Sequence, residues 1–274
     1  MRTSSNPAFR NLPAGQGGYA SFDRQGGMMG GAAAYADMQA SQAGYGRAAA
    51  GERPLTIDDV VQKTAISAGA ALVAGTLTAL AGPAYAWLAL PAFIVGFIVS
   101  LVLIFKPNLA KAPLVLTYSV CMGVALGGIS GLLNAQFPGI ATQAVVGTAG
   151  VFFGMLVVYK TGAVRVTPRF TKWLLGAMIG VVGLMLFNLV MGLFGVNTGL
   201  RGADGEVGWL AIAFSLVVIG VAAFSLLLDF DMADQAIQGG APAKLAWYIA
   251  FGLMTTLVWL YIEILRLLSY LRQD

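Results

Sequence analysis

The sequence predicts an all-α fold, a polytopic integral membrane protein with seven transmembrane helices. Three observations carry that reading. Hydrophobic residues make up 58% of the 274 positions and charged residues only 10%, against about 25% charge in an ordinary soluble domain. Seven apolar runs long enough to cross a bilayer recur between short polar breaks, a crossing taking about twenty residues. Lysine and arginine gather in alternate breaks, the asymmetry that orients membrane proteins.

Residues 1–52 are rich in Gly, Ala, Ser and Met, as in GGYASF and GGMMGGAAAYADM. With few branched apolar side chains to offset the entropy of ordering, this stretch is expected to be a disordered cytoplasmic tail. No continuous apolar segment follows Met1-Arg2, so it does not read as a signal peptide. The membrane domain is placed at 53–274. Its first helix starts within PLTIDDVVQKTAI, where Thr56 can cap the N-terminus and Asp58 and Asp59 complement the helix dipole.

The spans are placed at 64–82, 86–105, 113–133, 139–159, 173–196, 208–228 and 246–270. Only the Gly82-Pro83 turn separates the first two, which leaves a single buried hairpin as the alternative. Lys106-Pro107, Phe137-Pro138-Gly139 and Ala241-Pro242 mark other breaks. With the N-terminus inside, all 16 basic residues but Arg201, Arg266 and Arg272 fall on the inner side. The expectation is a cell-membrane protein with a cytoplasmic N-terminus and an external C-terminus. Basic charge then serves topology; no clustered basic face with interleaved aromatics suggests nucleic acid. Glycines four residues apart, Gly123, Gly127 and Gly131, then Gly150 and Gly154, then Gly176 and Gly180, suit close helix packing or, alternatively, a sliding surface.

Chemistry is bounded by what is missing. One cysteine, Cys121, and no histidine exclude an internal disulfide, a Cys cluster and an imidazole base. Residues 127–131, GGISG, match the Gly-x-Ser-Gly pattern of rhomboid-type intramembrane proteases, but that serine needs a histidine as base. Ser130 is therefore read as packing or hydrogen-bonding, and neither an enzyme nor a resident cofactor is expected. Polar chemistry concentrates in two places. LLLDFDMADQ puts Asp229, Asp231 and Asp234 at the close of span six; acids there oppose the helix dipole, and their angular spacing lets only one face the interior. VWLYIEILRLLSYL carries Glu263 and Arg266 three residues apart, so the two can pair on one helix face, with Asn188 in span five as an additional partner. A carboxylate held in the membrane marks a functional site by default.

YSVCMGVALGGIS at 118–130, QAVVGTAGVFFGM at 143–155, LLLDFD, and LYIEILRLLSYLR at 260–272 together resemble the Bax inhibitor-1 family, its bacterial members in particular, over about residues 55–272. The resemblance implies a bundle whose seventh helix is central and surrounded by the other six. It also implies a pH-sensitive calcium leak channel of the bacterial inner membrane, gated by an acid on span six and another on span seven. Carried over, these are Asp231, or Asp229 in a shifted register, and Glu263, with Arg266 as counter-charge. Two such carboxylates can share a proton that leaves as pH rises, and Ca²⁺ binds the same oxygens transiently. Some relatives restrain a membrane-bound protease, which gives the alternative of a non-conducting regulator with a membrane-protein partner. Where many relatives have glutamate, Met122 precedes Gly123. Asp231 and Glu263 are 32 residues apart, and a turn near Gly240 separates them in depth by roughly 18 Å. A longer span six, a bent span seven, or acids working at different levels would each accommodate that distance.

Overall fold

The computed structural model describes residues 52–194 and 208–273. The expected tail up to residue 51, residues 195–207 with Arg201, and residue 274 lie outside the described residues. Within them the fold is helical throughout, and seven segments have the length and composition of membrane spans. Helix α1 is Ile57–Leu80. Its N-terminus is closed by a capping box: the Thr56 hydroxyl accepts from the Asp59 amide at 3.3 Å, and the Asp59 carboxylate accepts from the Thr56 amide at 3.2 Å. A glycine with φ +89°, Gly82, turns the chain into a short 3₁₀ segment, Pro83–Leu88, and then α2, Ala89–Phe105. The first two runs are thus separate spans. The others are α3, Ala112–Gln136; α4, Ile140–Thr161; α5, Pro168–Leu193; α6, Trp209–Gln238; and α7, Ala246–Leu271.

Helix α1 starts at Ile57, directly after the Thr56 cap expected from the sequence, so its polar first turn precedes the apolar run placed at 64–82. One boundary differs from the sequence expectation for an identifiable reason. Helix α6 continues to Gln238, ten residues past 228. Its acids interrupt the hydropathy without interrupting the helix, since Leu226, Phe230 and Ala233 keep a buried apolar edge running past them.

Short connections make consecutive helices alternate in direction. One end of the bundle, called the basic end below, gathers Arg53, Lys63, Lys106, Lys111, Lys160, Arg165, Arg169, Lys172 and Lys244. Helix α7 packs substantially against α1, α3, α4 and α6, whereas α2 lies mainly on α3 and α5 mainly on α6. In its apolar window 56% of residues are buried, against 11% in that of α5. The central place of the seventh helix is thus realised by four direct neighbours, with α2 and α5 in an outer layer.

Two devices fix α1 in this arrangement. Along α3, Gly123, Gly127 and Gly131 meet Ala71, Gly75 and Ala79 of α1 in a constant register. A Cβ on Gly123 would stand 2.3 Å from the Ala71 carbonyl oxygen, and one on Gly127 2.2 Å from that of Gly75. The backbones therefore touch, the condition under which membrane helices gain dispersion energy without a hydrophobic drive. The glycines of the other stripes, Gly150, Gly154, Gly176 and Gly180, meet nothing within 4 Å, so close packing there is not realised. The second device is a strap ahead of α1. The Leu55 amide donates to the Ala241 carbonyl at 2.7 Å and the Ala243 amide to that of Arg53 at 3.0 Å, forming an isolated bridge between Pro54 and Pro242. Arg53 and Lys63 both pair with the buried Asp59, Lys63 donates to the Ala243 carbonyl at 3.0 Å, and Lys244 pairs with Glu52 at 2.9 Å.

Replacing Gly127 by alanine should lower stability by at least about 1–3 kcal/mol, the usual cost of overpacking, whereas Gly154→Ala should leave it unchanged. Thermal unfolding of both variants in detergent measures the difference; equal melting temperatures would contradict the seam.

Candidate functional site

Several polar side chains of α7 find partners inside the bundle, two on α3, one on α6 and one within α7 itself. Toward α3, Thr255 hydrogen-bonds the Tyr118 hydroxyl at 3.2 Å and Tyr261 that of Ser130 at 2.7 Å. The hydrogen-bonding role expected of Ser130 is the one observed. Toward α6, the Thr256 hydroxyl donates to Asp229 Oδ2 at 2.6 Å. Within α7, Arg266 Nη1 donates to Glu263 Oε1 at 2.9 Å, the Glu263 side chain being 3% and that of Arg266 29% exposed. In hydrocarbon, where water cannot serve, such contacts are the means by which hydroxyls and charges are accommodated.

Where each expected site residue sits follows from these contacts. Asp229 lies level with Thr256, which is about 15 Å from the start of α7 at the helical rise and hence near mid-depth. Asp231 and Asp234, three residues apart, turn away from α7 toward α4, where the Tyr159 hydroxyl donates to both at 3.5 and 3.4 Å. Gln235 and Gln238 donate to them at 2.6 and 2.8 Å. So Asp229 faces α7 while Asp231 and Asp234 face α4, as their angular spacing requires. Glu263 comes seven residues after Thr256, two turns and roughly 10 Å further along α7. Asp229 and Glu263 accordingly occupy different levels, with Asp231 and Asp234 nearer the basic end than either. Of the three accommodations open to the sequence, a longer sixth helix and acids at separate levels are the ones found.

Met122, at the place of the glutamate of many relatives, is buried, its side chain packed near Gly96 of α2; that position contributes apolar packing here. The half-buried Asn188 lies on α5, in the outer layer. Sequence reasoning passed over Tyr159, Thr256 and Tyr261, the groups that hold the acids and tie α7 to α3. The available signal was periodic: Thr256 and Glu263 are seven residues apart, so they share one face of α7. Among the described residues no group of three or more acidic or Cys side chains is arranged to hold a metal ion. The carboxylates are dispersed along the bundle, an arrangement suited to successive weak contacts with a cation rather than to a closed coordination shell.

Removing the guanidinium from a nearly buried carboxylate should be costly. Arg266→Met is expected to destabilise by up to about 3 kcal/mol, and Glu263→Gln in the same chain should recover much of the loss. A double-mutant cycle on thermal or denaturant unfolding reads the coupling; additive effects would mean that the pair contributes nothing.

No curated protein matches the chain. The model of the family described as Bax inhibitor 1 like matches residues 6–273, a range that takes in most of the tail which the motif resemblance, starting near residue 55, had excluded. Seven helices, the acid-bearing α6 and the central acid-bearing α7 belong to one continuous match, and the chain is a member of the Bax inhibitor 1 like family of membrane proteins.

Proposed function

We propose that this protein is a pH-sensitive cation leak pathway for Ca²⁺, conducting rather than catalytic, with no resident cofactor. The observation that supports the reading best is the series of carboxylates at successive depths of the bundle, Asp231 facing α4 and the other two meeting side chains of α7. Asp231 lies nearest the basic end, Asp229 at mid-depth on Thr256, and Glu263 beyond it on Arg266. A hard divalent cation prefers carboxylate and hydroxyl oxygen. A permeation route requires sites favourable enough to enter yet separate enough to leave, and spacing of about two turns between Asp229 and Glu263 meets that condition. Arg266 offsets the charge of Glu263 while the route is empty, and an arriving cation would compete with the guanidinium for Oε1.

The same carboxylates supply the pH dependence. Protonation removes their attraction for Ca²⁺, so flux should rise as pH is raised through their titration and fall as they are neutralised. In orientation, the basic end faces the cytoplasm of a bacterial cell, following the distribution of lysine and arginine.

In proteoliposomes, Glu263→Gln and Asp229→Asn should each lower the initial Ca²⁺ flux by about tenfold, equivalent to about 1.4 kcal/mol in the barrier, and flatten its pH profile. Flux and profile unchanged in Glu263→Gln would overturn the pathway and favour a non-conducting regulator. Orientation is tested separately. In a Cys121→Ser background, a cysteine replacing Arg165 should react with an impermeant maleimide in inverted vesicles only; reaction in intact cells would reverse the assignment.

A further inference from the structure

The distribution of acids leaves part of the basic end electrically uncompensated. No Asp or Glu occurs between Asp59 and Asp204. The cations around α1 and α7 are matched: Arg53 and Lys63 with Asp59, Lys244 with Glu52, Arg266 with Glu263. The elbow between α4 and α5 is different. Lys160, Arg165, Arg169 and Lys172 are all exposed, and among the described residues none of them forms an ion pair or a side-chain hydrogen bond.

Helix stability does not account for this charge. Lys160 suits the last turn of α4, but Arg169 stands in the first turn of α5, where no acid is present and a cation opposes the helix dipole. The Thr167 hydroxyl accepts from the Phe170 amide at 3.2 Å, so that terminus is already capped without the arginine. Topology needs positive charge on this side but is indifferent to whether two of the groups are guanidinium forks, the form that grips phosphate oxygens in pairs. Depth is marked by Trp173, 65% exposed beside Lys172; exposed tryptophans of spanning helices sit at headgroup level. Beyond it α5 presents Ile179, Val182 and Leu186, all exposed, an apolar wall of the kind acyl chains cover.

We propose that the α4–α5 elbow is a docking site for the headgroup phosphate of an anionic phospholipid. Arg165 and Arg169 hold the phosphate oxygens, Lys160 and Lys172 supply flanking charge, and the acyl chains lie along α5 below Trp173. Charge complementarity selects this occupant: the four side chains are donors without acceptors, at the depth where a bilayer presents anions.

The purified full chain, washed in neutral detergent, is equilibrated with equal amounts of phosphatidylglycerol and phosphatidylcholine, and bound lipid is counted by native mass spectrometry. The chain should prefer phosphatidylglycerol by roughly tenfold or more, given the attraction of each basic residue for anionic lipid. The Lys160→Gln, Arg165→Gln, Arg169→Gln, Lys172→Gln variant should bind the two lipids equally, and Lys106→Gln, Lys111→Gln on the α2–α3 elbow should keep the preference. A preference kept by the fourfold variant, or lost equally by the α2–α3 variant, overturns the site. Should the fourfold variant not fold, the native chain decides: its preference must collapse when equilibration is done at about 1 M salt, where screening acts within about 3 Å, and a salt-independent preference overturns the proposal.

Discussion

A polar group in hydrocarbon must find its partner within the protein, and this constraint organises the bundle. Tyr118, Ser130 and Asp229 come from two different helices, yet each is completed by a side chain of α7. A helix that serves polar groups on several sides must be surrounded. The burial of α7 and the peripheral place of α2 and α5 follow from it. Asp229 and Glu263 then sit where they do because each depth along α7 offers its own donor: a threonine hydroxyl at mid-depth and a guanidinium two turns on.

Apolar packing cannot by itself distinguish one helix neighbour from another in lipid, since lipid tails are as apolar as leucine. The α1–α3 seam solves that problem by shape. Glycine at 123 and 127 admits the carbonyls of Ala71 and Gly75 to distances that any Cβ would forbid. The contact is therefore specific to one register. Buried polar pairs supply the corresponding specificity on the α6 side, where Asp229 and Thr256 must stand level for a 2.6 Å hydrogen bond to form.

Much of this was legible in the sequence because the signals were local. Run length gave the seven spans, Thr56 with Asp59 gave the start of α1, and the spacing of Glu263 and Arg266 gave their pair. What was not legible depended on partners distant along the chain. The same glycine spacing occurs in α3, α4 and α5, but only in α3 does another backbone meet it; spacing encodes the opportunity, not the neighbour. Hydropathy likewise stopped span six at its first acid, because a mean over a window cannot register that Phe230 and Ala233 continue the buried edge between the acids. The level of Asp229 against α7 was out of reach for the same reason, as it is set by Thr256, 27 residues away across a turn.

The strap at Arg53–Leu55 has a consequence for how the chain is assembled. It joins the segment before the first membrane helix to the turn before the last, through two backbone hydrogen bonds and the Lys63 ammonium. During synthesis the segment at one side of that junction emerges long before the other. Helix α1 can settle against α3 as soon as both are in the bilayer, but the strap ahead of it has no partner segment, and Lys63 no carbonyl to donate to, until Ala241–Ala243 has been made. The bundle thus cannot close progressively from its beginning. Closure is a late, long-range event, and the last helix completes a ring whose first member has been waiting for it.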